Sequence, residues 1–240
     1  MTEQLYLEDS YLKECKSTVL KVEKNTHAIL NRTIFYPKGG GQPEDTGKIL
    51  KDEETYNVLH VQKTSGEIWH EVDEEGLNAG DTIRCVLGWK RRYKLMRSHT
   101  AAHVFASLLC SETGALVTGN QLKEDKIRFD FSLERYDREM LLTFVDKTNR
   151  ILRKNIPVKW YELPRDEALR IPGVVKMAKA IPPNLPRLRL VEIEGIDIQA
   201  DGGTHVRKLS EVGQIRLLKT ENKGKNNRRV YFALTPTLQN

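Results

Sequence analysis

Two histidines four residues apart, His99 and His103, lie in the stretch RSHTAAHVF. On a helix a four-residue step returns nearly to the same face, so both imidazoles would address one point. The pair is either half of a metal site or two histidines that share a face. Lacking the glutamate of HExxH, it carries no built-in base. A second four-residue step, Asp201 and His205, lies in QADGGTHV. There two glycines indicate a loop tight enough for both side chains to converge, although an ordinary glycine turn reads the same way. Together the four residues are a reasonable tetrahedral N/O set for one zinc ion, or three ligands with one position open for chemistry. A third segment, TIFYPKGGGQPEDTG, joins three glycines, Gln42, Asp45 and Gly47 at the end of a strand. Alone it is a loop or a loose phosphate cradle.

These segments need a scaffold, and composition bounds it. The chain has 240 residues, 39% hydrophobic and 30% charged, which suits a soluble globular protein of one large or two modest domains. No stretch approaches the roughly 20 apolar residues of a membrane span. The N-terminus lacks a basic segment followed by an apolar one, so no secretory signal is expected. The three cysteines, Cys15, Cys85 and Cys110, are odd in number and far apart in sequence. That argues against a disulfide framework and for a reducing, cytoplasmic setting.

Net charge is +6, with a pI of about 9.1. One basic cluster holds Lys90, Arg91, Arg92, Lys94 and Arg97; another holds Lys219, Lys223, Lys225, Arg228 and Arg229. Most charge runs are solvated surface. Two clusters with Tyr93 and Tyr231 nearby point toward nucleic acid, and Lys90, Arg91, Arg92, Lys94, Lys223, Lys225, Arg228 and Arg229 are the expected phosphate contacts.

The pattern of elements is α+β. Residues 1–88 read as short β-branched and aromatic strands separated by turns, which implies a small antiparallel barrel or sandwich. Residues 89–240 read as a second domain with an antiparallel sheet and packed helices. Ser98 is the expected N-cap of the histidine helix and Gly114 its stop. A long helix runs from about Leu133 to just before Pro157, and QIRLLKT and RRVYFAL form a hairpin.

Taken in order, the three motifs resemble AlaX, the free-standing relatives of the alanyl-tRNA synthetase editing domain. The family pattern T-x-FY-x-x-x-GGQ-x-x-D-x-G is met by Thr33, Phe35, Tyr36, Gly40, Gly41, Gln42, Asp45 and Gly47; HxxxH by His99 and His103; and C-x-x-x-H by Asp201 and His205. The resemblance spans nearly the whole chain and includes the glycine-rich barrel of the longer form. It implies a zinc-dependent hydrolase acting in trans on tRNA(Ala) mischarged with serine or glycine while sparing alanyl-tRNA(Ala). Asp201 stands where the family has a cysteine. It is either a fourth ligand beside His99, His103 and His205 or a partner that orients His205.

On this reading Thr33, Gln42 and Gln121 are candidates for catalysis, and Thr33, Gly40, Gly41 and Gln42 for substrate contact. Thr33 is the expected reader of the serine hydroxyl. Two alternatives are editing of seryl-tRNA in the manner of threonyl-tRNA synthetase, and a tRNA-binding paralogue without catalysis. His27, His60 and His70 fall in barrel strands or turns and receive no role.

Overall fold

The computed structural model describes residues 2–134, 137–174, 185–224 and 226–235. The chain divides into two compact units, Met1–Lys94 and Leu95–Asn240. It is α+β with an N-terminal barrel, as the sequence pattern leads one to expect.

In the first unit six antiparallel strands close a barrel in the order Glu14–Glu23, His27–Leu30, Glu67–Val72, Glu54–Thr64, Gly47–Lys51 and Thr82–Leu87. Alternation selects the inward set. Ile68, His70 and Val72 are buried on one strand, Ile83, Cys85 and Leu87 on another. The glycine motif lies between two of these strands. Gly40 and Gly41 both have positive φ, +56° and +87°, and make the two-residue turn that pairs Gly39 with Gln42. A Cβ at Gly47 would collide with the Val86 carbonyl and the Phe35 ring.

A buried ion pair fastens this motif. Arg92 is 0% exposed and donates through Nε to both oxygens of Asp45, and through Nη2 to Asp45 and the Ile34 carbonyl. Asp45 also accepts from the Tyr36 amide at 2.7 Å, and the Tyr36 hydroxyl donates to the Gly39 carbonyl at 3.0 Å. Arg92 is therefore a clasp inside the first unit, not a phosphate contact. A guanidinium without solvent exposure has no face for RNA.

One continuous helix, Trp89–Thr113, replaces the expected basic linker followed by a helix start at Ser98. Gly88 offers its carbonyl to the amides of Arg91 and Arg92, so the helix begins there. Ser98 is buried within it rather than capping it. The helix ends just before Gly114, where the sequence places its stop. The second unit contains two antiparallel sheets. The four-stranded one runs Ile215–Asn222, Arg228–Leu234, Ile127–Phe131, Val117–Leu122. Phe105 of the long helix packs on Phe232 with ring centroids 4.7 Å apart. A second helix, Arg138–Leu152, starts at an Asp137 N-cap. It is tied to the first strand of that sheet by Asn149, which exchanges two hydrogen bonds with the backbone of Ile215. The three-stranded sheet is Val158–Pro164, Arg187–Ile193, Asp197–Ala200.

His70 sets an acid sensitivity. It is fully buried, with Nδ1 facing the Ala28 carbonyl at 3.2 Å and Nε2 facing the Thr33 hydroxyl at 2.8 Å. Burial holds its pKa down at about 4 against an ordinary 6.5. The unfolded chain binds this proton below about 6.5 and the folded one only below about 4, so stability falls as pH drops through that window. The loss is on the order of 3 kcal/mol. Urea unfolding of wild type and His70→Asn between neutral pH and pH 4 should show the wild type losing its advantage. A constant difference between the two would mean that His70 does not titrate with folding.

Candidate metal centre

His99 and His103 project from consecutive turns of the long helix, and Asp201 and His205 come from the loop after strand Asp197–Ala200. All four ligand atoms lie within 4.8 Å of one another. Each histidine presents Nε2 to the same oxygen, Asp201 Oδ2: His205 at 2.8 Å, His103 at 3.1 Å and His99 at 3.3 Å. The rings are packed together, those of His99 and His205 stacked at 4.3 Å.

The far sides of the imidazoles are held as well. His103 Nδ1 meets Asp197 Oδ2 at 2.9 Å, and Gln199 Nε2 donates to that same oxygen at 2.7 Å. His205 Nδ1 meets the Thr100 hydroxyl at 3.1 Å. The Asp201 loop is shaped by its own Oδ1, which accepts the Gly203 amide, and by Arg189, which donates to the carbonyls of Asp201 and Gly203. Carboxylate–imidazole contacts of this kind fix which ring nitrogen carries the proton and which is left as a donor atom.

Electrostatics follow from burial. Burial opposes charge on His103, but its hydrogen bonds to Asp197 and Asp201 prevail and push it up to about 9. Burial holds His205 down at about 4 and His99 well below the usual imidazole range. Burial would raise Asp201, yet the facing imidazoles, His99 first, hold it well below the usual carboxylate range. His103 therefore meets two carboxylates, Asp197 with a fully buried side chain and Asp201 with one 14% exposed, and the Arg189 guanidinium lies close enough to act on the same cluster. By donor chemistry the four residues suit a metal ion.

The remaining sequence candidates are distributed differently. Thr33 is fully buried in the barrel; its Oγ1 lies 2.8 Å from His70 Nε2 and accepts the Phe35 amide. Gln42 is buried in its turn, and Gly40 and Gly41 form the turn itself. Gln121 is exposed. Its neighbour Asn120, on the opposite face of the strand, lines a cavity of about 40 Å³ with His99, His103, Ala102, Phe129 and Gln199. Sequence reading missed Asn120, Asp197 and Gln199. Strand alternation in VTGNQL is the one signal that separates Asn120 from Gln121.

Of the expected RNA contacts, Lys90 and Lys94 are exposed, and Arg91 donates to the Glu44 carbonyl. Lys223 is exposed and paired with Glu221. Arg228 is buried and clasps its own hairpin through Asn222, Gly224 and the Glu134 carbonyl, which removes it from the surface. Arg229 makes two bonds to Asp130. Lys225 lies outside the described residues.

Known proteins match this arrangement in two pieces and as a whole. Residues 8–91 match the class II (A) tRNA synthetases, and residues 188–231 the threonyl and alanyl tRNA synthetase second additional domain. The barrel and the segment that carries Asp201 and His205 thus place the chain among proteins built from parts of tRNA synthetases. It is 45% identical over 239 residues, 98% of this chain and 100% of the relative, to alanyl-tRNA editing protein AlaX-M of Saccharolobus solfataricus. Identity to the AlaX-M of Methanosarcina barkeri is 44% over 241 residues, covering 98% and 99% of the two chains. Alanine–tRNA ligase of Methanococcus aeolicus is 38% identical over 226 residues, which cover 92% of this chain and 24% of that enzyme. The chain belongs to the AlaX-M family of alanyl-tRNA editing proteins.

Asp197 yields a direct expectation. Asp197→Asn keeps the shape and weakens the hold on His103 Nδ1, so divalent-ion affinity should fall by about 10- to 100-fold. Competition against a chromophoric chelator measures it. An unchanged affinity would reduce Asp197 to packing.

Proposed function

We propose that the protein is a trans-acting deacylase that hydrolyses the ester joining serine or glycine to tRNA(Ala) and spares alanyl-tRNA(Ala). The observation that carries this reading is the convergence of three imidazoles and a carboxylate in a chain akin, over nearly its full length, to alanyl-tRNA editing proteins. His99, His103 and His205 would hold a zinc ion, with Asp201 as fourth ligand. Bound there, zinc supplies Lewis-acid polarisation of the ester carbonyl or an activated water.

The protein's own residues do the rest. Asp197 and Gln199 hold His103 in register, and Arg189 holds the Asp201 loop. The cavity beside the histidines, about 40 Å³, is small, and we take it as the place where the amino acid's side chain sits. Its walls at Ala102, Ala106, Val117 and Phe129 are apolar, and Asn120, beside Gln199 and the histidines, is our candidate to read the serine hydroxyl. An apolar pocket alone separates such similar substrates by only about a hundredfold. With its hydroxyl committed to the barrel, Thr33 acts on selectivity only through the fold. The exposed lysines Lys90, Lys94 and Lys223 supply phosphate contacts, which makes tRNA affinity fall with salt.

Side-by-side deacylation of seryl-, glycyl- and alanyl-tRNA(Ala) tests this. Wild type should clear the first two and leave the third largely intact. Asn120→Ala should lower kcat/KM for the seryl substrate by about 10-fold or more and the glycyl substrate far less. Thr33→Val should change all three by a common factor. No hydrolysis of any substrate, or equal attack on all three, would sink the proposal.

A further inference from the structure

Two of the three cysteines, far apart in sequence, face each other in the barrel. Cys15 on strand Glu14–Glu23 pairs in register with Cys85 on strand Thr82–Leu87, the two strands that close the barrel. Residues directly opposite in an antiparallel pair have Cα atoms about 4.5–5.5 Å apart and side chains on the same face. That lies inside the roughly 4.4–6.8 Å a disulfide spans. The side chains do meet: the Cys85 thiol hydrogen-bonds the Cys15 sulfur. Cys85 is fully buried and Cys15 half-buried, so Cys15 is the more accessible of the two. Both pack with the barrel core, Cys85 within it and Cys15 at its partly exposed margin.

We propose that Cys15 and Cys85 are a redox pair, in which Cys15 attacks low-molecular-weight disulfides and Cys85 resolves the product to a cross-strand disulfide. The environment suits these roles. The Cys85 hydrogen bond, the Ile34 amide and the Arg32 guanidinium favour the Cys15 thiolate against burial and Glu3, whereas the bond to Cys15 and burial push the Cys85 thiol up. In the first step the Cys15 thiolate attacks one sulfur of glutathione disulfide, forming a mixed disulfide and expelling a glutathione thiolate. In the second, Cys85 gives up its proton and attacks the Cys15 sulfur, releasing the second glutathione. The two protein thiols are oxidised by two electrons, and one glutathione disulfide is reduced to two glutathiones. The product joins the first and last strands of the barrel by a covalent bond.

The test uses the folded, full-length protein in glutathione and glutathione disulfide buffers, with acid quench, alkylation of free thiols and mass spectrometry. Free thiols should fall from three to one, and the peptide map should show Cys15 joined to Cys85. The oxidised protein should melt at a higher temperature, and a phosphine reductant should reverse the shift. Cys110→Ser should still lose two thiols. Cys85→Ser should accumulate glutathione on Cys15, while Cys15→Ser should leave Cys85 unmodified in the folded state, so either variant alone keeps the question answerable. The proposal is overturned if all three thiols stay free in folded protein under conditions that oxidise them in urea, or if cross-links to Cys110 form as readily.

Discussion

Asp197 and Asp201 approach one imidazole, His103, from opposite edges, at 2.9 Å and 3.1 Å. Two carboxylates this deeply buried demand compensating charge, because an unpaired ion in the interior costs several kcal/mol. His103 can carry one proton; burial keeps His99 and His205 neutral. His103, between the two carboxylates, and Arg189, on the Asp201 loop, bring positive charge to the point where three Nε2 atoms meet Asp201. The long helix, the Asp197–Ala200 strand and the Arg189-bound loop each hold one part of that point in place. Asp201 brings that point a hard oxygen donor that carries its own negative charge.

The first unit solves a different problem, that of keeping a glycine-rich loop rigid. A loop of three glycines loses much conformational entropy on folding. The Arg92–Asp45 pair offsets this with bonds to a carboxylate and to the carbonyls of Ile34 and Ser10, while Tyr36 fastens the turn through Gly39. The interaction is local and fully buried, so salt has little purchase on it. Thr33 belongs to this framework too, as the bridge between His70 and the backbone of Phe35.

Much of this was legible in the sequence, and the failures have physical causes. The barrel could be read because its strands alternate cleanly and are punctuated by turns. The four metal candidates could be read because a four-residue step on a helix and another in a glycine loop leave a spacing signature. Asp197 leaves none, since its partner His103 is 94 positions away and only the fold joins them. Cys15 and Cys85 escaped for the same reason: strand register, not sequence distance, makes them neighbours. Charge runs misled in a systematic way. A run shows that cations are near one another but not which way each points, and Arg92 and Arg228 point inward to clasp loops. Ser98 looked like a helix cap because its residue type favours that role, but the preceding basic residues are good helix formers and continue the helix through it.

The central claim is that the three imidazoles and Asp201 form a metal centre on which deacylation depends. Its most direct test is a titration of the demetallated protein with zinc, reading seryl-tRNA(Ala) hydrolysis at each addition. Activity should rise linearly and level off at about one ion per chain, as a single four-ligand site requires. Full activity in the demetallated protein, unaltered by added zinc, would contradict the account.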